Sequence, residues 1–305
     1  MIAPAKVGQP HLVLSIFPNR GRGWRFVMVD AHTVYVDDSG TDGKSRIATA
    51  AFCVSTVEKW TAFGRRWNTI ATNAGFKHFH MTEFAACRPD KPCQQCVKGE
   101  TTLEHHPWIR WTPKKRKNVL QNLARAVVEH VECGFSIAHT KEDYEEAIRT
   151  FGASVTSAKE HFTYAVQRCG GELARWRAKE GLTDVPLKFV FDLSTPKQRD
   201  EIAGIFFGVA SGKPQFEGGV EQWFVPVGVS YESRRSVVQL LAADMLAWVT
   251  ATIRARSLFL RGEVAEMFQV ADIFVDTQIH MGAVSKESVM QWGRETIGKQ
   301  ESKAG

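Results

Sequence analysis

The chain lacks the features that mark membrane and secreted proteins. No apolar run approaches the length that crosses a bilayer, and the short apolar segment 11–17 leads into arginines rather than into a cleavage site. Internal repeats and low-complexity tracts are also missing. We therefore expect a cytoplasmic protein without membrane contact, in which the six cysteines are thiols or metal ligands.

A strong excess of either charge is missing as well. The 39 basic and 33 acidic residues give a formal net charge of +6, which permits a polyanionic partner such as nucleic acid without requiring one. The sequence does contain ample material for a core, with 44% hydrophobic residues and nine tryptophans in 305 residues. This composition is typical of a soluble globular protein.

The order of the apolar segments predicts an α/β fold. Strand-like runs alternate with helical patterns as in a mixed five-stranded sheet that is flanked by helices. We expect one domain over residues 31–260, with a Cys-rich insertion at 86–110. Residues 1–30 are interpreted as a poorly ordered N-terminal extension, and residues 261–305 as a C-terminal extension that packs on the domain.

Two adjacent carboxylates stand at the end of a predicted strand. Asp37 and Asp38 follow the apolar run 34–36 and precede Ser39 and Gly40. Paired acids on a rigid strand end suit a hard divalent cation, which takes oxygen ligands and offsets their repulsion. The alternative is that these residues only form a turn, since Asp, Ser and Gly are common turn residues.

The segment 40–45 resembles the end of a phosphate-binding loop but does not fit that motif. The motif needs a glycine five positions before the Gly of Gly-Lys-Ser. Here that position is Asp38, and the residues that follow Ser45 are β-branched and aromatic rather than helix-forming. Asp42 and Gly43 are better interpreted as a hairpin turn.

Two further acids stand where a carboxylate can serve a site. Asp244 interrupts a predicted helix over 236–254 that is apolar nearly all round and is therefore buried. Because an unpaired buried carboxylate is costly, Asp244 needs either a metal ion or a base such as Arg234 or Arg235. Asp192 ends another predicted strand and is either a third ligand or a turn and capping residue.

Strand-end acids combined with an acid on a late buried helix are typical of ribonuclease H-like folds. In these folds the carboxylates converge on divalent cations at the edge of a mixed five-stranded sheet. Asp37, Asp192 and Asp244 would then bind Mg²⁺ or Mn²⁺, with Asp38 as a supporting group. Paired cations of this kind promote phosphodiester hydrolysis by activating water and stabilising the leaving oxygen.

Three motifs follow one another along the chain. They are Asp-Asp-Ser-Gly at 37–40, His-Met-Thr-Glu-Phe at 80–84, and a segment at 233–244 that begins Ser-Arg-Arg-Ser, contains Gln239 and ends in Ala-Ala-Asp. In this order they resemble the domain of unknown function 3800 family over residues 33–255. The resemblance implies a ribonuclease H-like fold and, less directly, a nuclease activity.

The chain departs from that family at two points. Asp38 stands where the family has Glu, which keeps the charge but shortens the reach. One extra residue separates Gln239 from Asp244. Because one residue rotates a helix by about 100°, Gln239 need not lie where the family's Gln lies.

His80 and Glu83 are the candidate groups that could act beside the acids. They lie three positions apart and would share one face of a helix. They could supply a further metal ligand or a general base for water. The alternative is that His80 only packs against Phe79 and Phe84.

The insertion contains three cysteines and a histidine pair. Cys93 and Cys96 have the spacing of a zinc knuckle, and Cys87 with one imidazole, taken as His105, would complete a tetrahedral structural zinc site. The competing interpretation is free thiols in a mobile loop. Zinc here would be architectural and separate from the carboxylates.

A basic stretch at 110–117 contains five basic residues and lies beside Trp108 and Trp111. Lysines neutralise phosphates and aromatic rings stack on bases, so this stretch is a candidate nucleic-acid contact. The alternative is a solvated helix N-terminus, although the helix dipole favours acids rather than bases there.

Three functional hypotheses follow. The first is a divalent-metal-dependent phosphodiesterase, a nuclease acting on DNA or RNA. The second is a non-catalytic module on the same fold that binds nucleic acid or a protein. The third is a metal-dependent hydrolase of a small phosphorylated substrate. No oligomeric state is predicted.

Overall fold

A mixed β-sheet with helices on both faces forms the centre of the protein. The computed structural model describes residues 13–18, 24–29, 31–40, 45–88, 92, 96, 106–151, 161–192, 196, 199–200, 202, 226–259, 265–275 and 277–291. The insertion expected at 86–110 therefore lies largely outside the described residues.

The strands and helices are numbered here in chain order. The strands are β1 (Val13–Pro18), β2 (Trp24–Val29), β3 (His32–Ser39), β4 (Ile47–Ser55), β5 (Cys133–Thr140), β6 (Leu187–Asp192), β7 (Pro226–Glu232) and β8 (Ile279–Ala283). The helices are α1 (Val57–Ala74), α2 (Met81–Ala86), α3 (Pro113–His130), α4 (Lys141–Phe151), α5 (His161–Lys179), α6 (Leu240–Phe259) and α7 (Ala265–Phe274), with a 3-10 turn at Pro107–Arg110. Within the described part of the chain, no helix is both long enough and apolar enough to span a bilayer.

The main sheet has six strands in the order β7-β6-β3-β4-β5-β8. β4 is antiparallel to both of its neighbours, β3 and β5. The pairs β3–β6, β6–β7 and β5–β8 are parallel. β1 and β2 form a separate antiparallel pair inside the segment interpreted above as an N-terminal extension.

The predicted number of five strands is wrong. Strands β3 to β7 were indicated by the sequence, and the sixth strand, β8, comes from the C-terminal segment and pairs with β5. β8 has only five residues, and of these Ile279 alone is buried. Such a short edge strand has too weak an apolar pattern to be distinguished from a loop.

The side chains of β3 alternate between two separate cores. Val34 and Val36 belong to the core that α4 and α5 cover, whereas Tyr35 belongs to the core that α1, α3 and α6 cover. Since successive strand residues point to opposite faces, Asp37 lies on the α6 face. Asp38 is directed towards the opposite face.

α6 is deeply buried against the sheet. Every residue from Leu240 to Ala247 is buried, which confirms the sequence-based prediction, and Asp244 is the single charge in this run. The helix begins at Leu240 rather than at position 236. The three residues before it form tighter turns, in which the Leu240 N–H donates to the Val237 carbonyl.

Gly40 directly follows β3 and has a backbone conformation that strongly favours glycine. Its φ is 74°, and a Cβ at this position would overlap the Ile47 carbonyl oxygen and lie 2.7 Å from the Ser45 hydroxyl. We expect Gly40→Ala to lower the free energy of unfolding by roughly 1–3 kcal/mol, measured by urea denaturation.

Gly75 provides the matched control for this substitution. It also has a positive φ, 83°, but a Cβ there would meet nothing within 4 Å. Gly75→Ala should therefore show only the backbone cost of about 1 kcal/mol. Equal losses in the two variants would show that the contact with Ile47 is unimportant.

Candidate functional site

The carboxyl ends of three parallel strands meet at one edge of the sheet. Val36 of β3 is in register with Phe191 of β6, so Asp37 and Asp192 follow paired positions. β7 runs parallel to β6 and ends at Glu232, two residues before Arg234. Ligands of open α/β sheets commonly bind beyond the carboxyl ends of such strands.

Three carboxylates converge on the guanidinium of Arg234. Its Nη1 lies 3.5 Å from both Asp37 Oδ2 and Asp244 Oδ1, and its Nη2 lies 2.7 Å from Asp192 Oδ2. Because Asp37 and Asp244 are both 3.5 Å from one atom, these two oxygens are no more than twice that distance apart. This spacing is inside the ~8 Å limit that a pair of metal ions about 4 Å apart sets.

A backbone N–H fixes the other oxygen of each carboxylate. Asp37 Oδ1 accepts a hydrogen bond from the Asp38 N–H at 2.8 Å, and Asp244 Oδ2 accepts one from the Met81 N–H at 2.9 Å. Asp192 Oδ1 accepts from the Arg234 N–H at 3.2 Å. Each acid therefore has one oxygen held by the backbone and one directed towards a common centre.

Burial makes this group of acids electrostatically costly. Asp37 and Asp244 are 1% and 2% exposed, and burial raises the pKa of both carboxyls above the usual range. Arg234 opposes this rise at both residues, and His80 also opposes it at Asp244. The neighbouring acids, Asp192 among them, raise the two pKa values further. Burial is therefore the main reason that the ionised carboxylates are unfavourable here, and Arg234 offsets only part of this cost.

His80 joins the group from the start of α2. It is the N-cap residue of α2 rather than a residue inside the helix. Its Nε2 lies 3.5 Å from Asp244 Oδ1, and its Nδ1 lies 3.7 Å from Glu83 Oε1. Burial lowers the pKa of His80, but the interactions with Glu83 and with the charge of Asp244 outweigh it, so the pKa is raised overall.

Glu83 is held as an anion between two histidines. The close contact with His80 is the main cause that lowers the pKa of Glu83 to about 2, against an opposing contribution from burial. Its second oxygen, Oε2, lies 3.3 Å from Nε2 of His106. Glu83 thus connects His80 to His106.

Asp38 differs from the other predicted site residues. Strand alternation directs its side chain away from the α6 face, and from there its charge raises the pKa values of Asp37 and Arg234. The structure therefore brings Asp37, Asp192, Asp244 and His80 together around Arg234, with Glu83 behind His80. Asp38 contacts this group through its backbone N–H.

The cysteine cluster uses a histidine that the sequence did not single out. Cys87, Cys96 and His106 place one ligand atom each within 4.8 Å of one another. The predicted ligands Cys93 and His105 lie outside the described residues. The sequence pattern could not show which of the two adjacent histidines is the ligand, because a 3-10 turn rather than a regular helix or strand follows them.

The basic stretch at 110–117 does not offer the aromatic surface that was expected. Trp108 and Trp111 are 0% and 5% exposed, so the prediction that they stack on bases is wrong. Arg116 is also buried and donates to the Phe84, Cys87 and Trp108 carbonyls. The two tryptophans pack in the core, and the ring of Trp111 has the Lys115 ammonium 4.8 Å from its centroid.

The acidic group has the chemistry that a hard divalent cation requires. It offers carboxylate oxygens, an excess of negative charge and backbone donors that fix each ligand. Among the described residues, Cys87, Cys96 and His106 are the one group of three or more His, Cys, Asp or Glu side chains whose ligand atoms lie mutually within 4.8 Å. The acids instead contact the Arg234 guanidinium. Cation binding at the acids would therefore require the Arg234 side chain to move.

A small cavity opens beside Arg234. It has a volume of about 30 Å³ and is lined by Arg234, Arg235, Lys77, His78 and apolar residues of α1 and α6. This volume suits one or two water molecules rather than a nucleobase. Its basic lining places positive charge next to the acids.

Comparison with family models, with curated proteins and with solved structures found no match to this chain. Any assignment of function therefore depends on the residues of the chain itself.

Proposed function

We propose that this protein is a divalent-metal-dependent phosphodiesterase on a ribonuclease H-like fold, with DNA or RNA as substrate. One observation carries the proposal. Asp37, Asp192 and Asp244 come from two strand ends and a buried helix, and each directs one oxygen to the Arg234 guanidinium. A purely structural ion pair does not need three acids around one base.

Asp37, Asp192 and Asp244 would hold Mg²⁺ or Mn²⁺. When bound, such ions supply Lewis-acid activation of water and stabilisation of charge on the leaving oxygen. The backbone donors to each carboxylate keep the ligands in place without reorganisation during the reaction. His80 has a raised pKa that favours its protonated form, so it is suited to donate a proton to the leaving oxygen.

Arg234 would change partners during catalysis. Its planar guanidinium balances the acids now, and the same fork suits two oxygens of a phosphodiester. The neighbouring Lys77 and Arg235 extend positive charge along the cavity, and Lys114 and Lys115 are exposed at the start of α3. This distribution supports a polyanionic substrate over a neutral one.

The contacts of Arg234 with the acids favour a second candidate function, a non-catalytic module that binds nucleic acid or a protein. A guanidinium that contacts all three acids gives each of them a partner in the absence of metal. On this hypothesis the acids are a structural network, and the protein binds its partner without cleaving it.

Substitution of Asp192 is the most direct test of the proposal. Asparagine keeps the size of the Asp192 side chain and an oxygen that can accept the hydrogen bond from the Arg234 N–H, so Asp192→Asn should fold normally. We expect the wild type to cleave labelled DNA or RNA with Mn²⁺ or Mg²⁺ and to be inactive in EDTA. We expect Asp192→Asn to lose about 10²-fold in kcat, since a metal ion supplies several kcal/mol of charge stabilisation.

Three controls separate the hypotheses. Glu172→Asn on α5 should leave the rate unchanged, because the Glu172 side chain is 38% exposed and pairs with Arg175 away from the acids. Binding without cleavage at any metal concentration would support the module instead. Hydrolysis of bis-p-nitrophenyl phosphate without cleavage of DNA or RNA would support a small phosphorylated substrate.

A further inference from the structure

A second group of metal-ligating side chains lies outside the acidic site. Cys87 directly follows α2, His106 directly precedes the 3-10 turn, and Cys96 lies between them in sequence. The Cys87 and Cys96 sulfurs are 3.3 Å apart, and the Cys96 sulfur is 3.3 Å from Nδ1 of His106. Cys87 and His106 are 0% and 4% exposed.

This spacing corresponds to ligands around one ion rather than to a disulfide. A disulfide brings two sulfurs to about 2.05 Å, whereas two sulfurs on a tetrahedral zinc ion lie ~3.8 Å apart with Zn–S bonds of about 2.3 Å. Cys87 and Cys96 are not joined in a disulfide. An opening of the cluster by about half an ångström would admit zinc.

The backbone around these ligands is held independently of any ion. Arg116 of α3 is 3% exposed and donates to the carbonyls of Phe84, Cys87 and Trp108. The ring of His106 is stacked on Trp108, with 5.0 Å between centroids and 26° between planes. One buried guanidinium therefore joins the segment of Cys87 to the segment of His106, and the imidazole has a fixed orientation.

We propose that Cys87, Cys96 and Nδ1 of His106 bind a zinc ion, and that Glu83 is the positioning residue for His106. Glu83 Oε2 lies 3.3 Å from Nε2 of His106, the ring nitrogen that faces away from the sulfurs. This is the arrangement in which a carboxylate accepts the second N–H of a metal-bound imidazole and fixes its tautomer.

The zinc site has a direct connection to the acidic site. The other oxygen of Glu83 lies 3.7 Å from Nδ1 of His80, and His80 lies 3.5 Å from Asp244. An ion bound at the cysteines would fix the His106 ring. Through its contact with Glu83, that ring would in turn fix the carboxylate that orients His80. The zinc proposal does not depend on the proposed nuclease activity, since its readouts are metal content and spectra.

Metal content of the purified full chain tests the site. We expect about one zinc per chain under reducing conditions, and a Co²⁺-substituted protein with thiolate-to-metal charge-transfer absorption. Cys96→Ala should lose both signals. Cys169→Ala should keep both, because Cys169 lies in the core on the other face of the sheet.

Glu83→Gln tests the positioning role. We expect zinc affinity, measured by competition with a chromogenic chelator, to fall about 10–100-fold. The unfolding midpoint of the zinc-free protein should stay close to wild type, because the Glu83 side chain is 46% exposed. A merely structural role would lower that midpoint and leave the affinity of the folded protein unchanged.

Two results would overturn the zinc site. One is a wild-type protein that takes up no zinc and gives no Co²⁺ charge-transfer band. The other is equal zinc content in Cys96→Ala and Cys169→Ala. If Cys96→Ala does not fold, chelator competition on the wild type alone decides: dissociation constants no tighter than for a denatured chain contradict the proposal.

Discussion

Asp244→Asn is expected to reduce kcat for metal-dependent phosphodiester hydrolysis by about 10³-fold or more. Asparagine keeps the size of the side chain and an oxygen that can accept the hydrogen bond from the Met81 N–H. It removes the anionic oxygen that faces Arg234 and the common centre of the acids. A loss of several kcal/mol in transition-state charge stabilisation corresponds to a rate factor of this size.

The same substitution is expected to stabilise the metal-free protein. Burial raises the pKa of Asp244 in the folded state, so the folded protein binds the proton more tightly than the unfolded chain does. The free energy of unfolding of the wild type then falls as pH rises from about 4, the ordinary Asp value, through the raised pKa. The asparagine of the variant cannot titrate and avoids this loss, so we expect a gain on the order of 1 kcal/mol at pH 8.

Urea denaturation in EDTA at pH 5 and pH 8, together with steady-state kinetics, measures both effects. Asp272→Asn is the matched control, because Asp272 lies on α7, away from the acids, and should change neither quantity. A wild-type kcat in Asp244→Asn would exclude Asp244 as a metal ligand. A lower urea midpoint than wild type at pH 8 would contradict an excess of buried negative charge at the site.

The acids of the site could be predicted because each one is an exception in, or directly after, an otherwise apolar segment. Asp37 and Asp192 follow apolar strands, and Asp244 interrupts an apolar helix. Those patterns fix the face and the end of the element on which a side chain lies. Sequence also named Arg234 as an alternative partner for Asp244. It could not show that Arg234 reaches all three acids, because that depends on the order β3-β6-β7 in the sheet.

The elements with clear local signals were also predictable. Thr112 and Pro113 indicated the start of α3, and the Thr112 side chain does cap it by accepting from the Lys115 N–H. The hairpin of β3 and β4 followed from two apolar runs around a glycine-rich turn. β8 was missed because it pairs with β5 through a long-range contact between residues about 145 positions apart. The local sequence pattern of β8 gives no indication of that pairing.

The tryptophans at 108 and 111 show why exposure is harder to predict than secondary structure. Their basic neighbours indicated a surface, yet both rings are buried against Phe84. A 3-10 turn has no long periodicity from which a buried face could be assigned. The choice between His105 and His106 as a metal ligand was undetermined for the same reason.

Arg234→Met is expected to lower the free energy of unfolding by about 3 kcal/mol at pH 8 in EDTA. The guanidinium lowers the pKa values of Asp37 and Asp244, so its loss leaves buried carboxylates without this cation. Removal of one partner of a buried pair costs about 3–5 kcal/mol. The lower end applies because the Arg234 side chain is 28% exposed.

The pH dependence of this loss has a definite sign. Well below pH 4, the carboxyls of Asp37 and Asp244 are protonated in both the folded protein and the unfolded chain, so the deficit of Arg234→Met should be small. It should grow as pH rises, because the unfolded chain releases protons that the folded variant retains. Arg235→Met is the control, since Arg235 is exposed beside Arg234 and its loss should cost no more than ~0.5 kcal/mol.

A divalent cation should reverse most of the deficit in Arg234→Met. A ligand present at about 100 times its dissociation constant stabilises the folded state by about 2.7 kcal/mol, and Ca²⁺ or Mg²⁺ at the acids would replace the charge that Arg234 supplied. In the wild type the ion has to displace Arg234 from the three acids, so the stabilisation by the same ion should be smaller. Equal shifts in both proteins, or none, would mean that Asp37, Asp192 and Asp244 serve only as partners of Arg234. That outcome would favour the non-catalytic module over the phosphodiesterase.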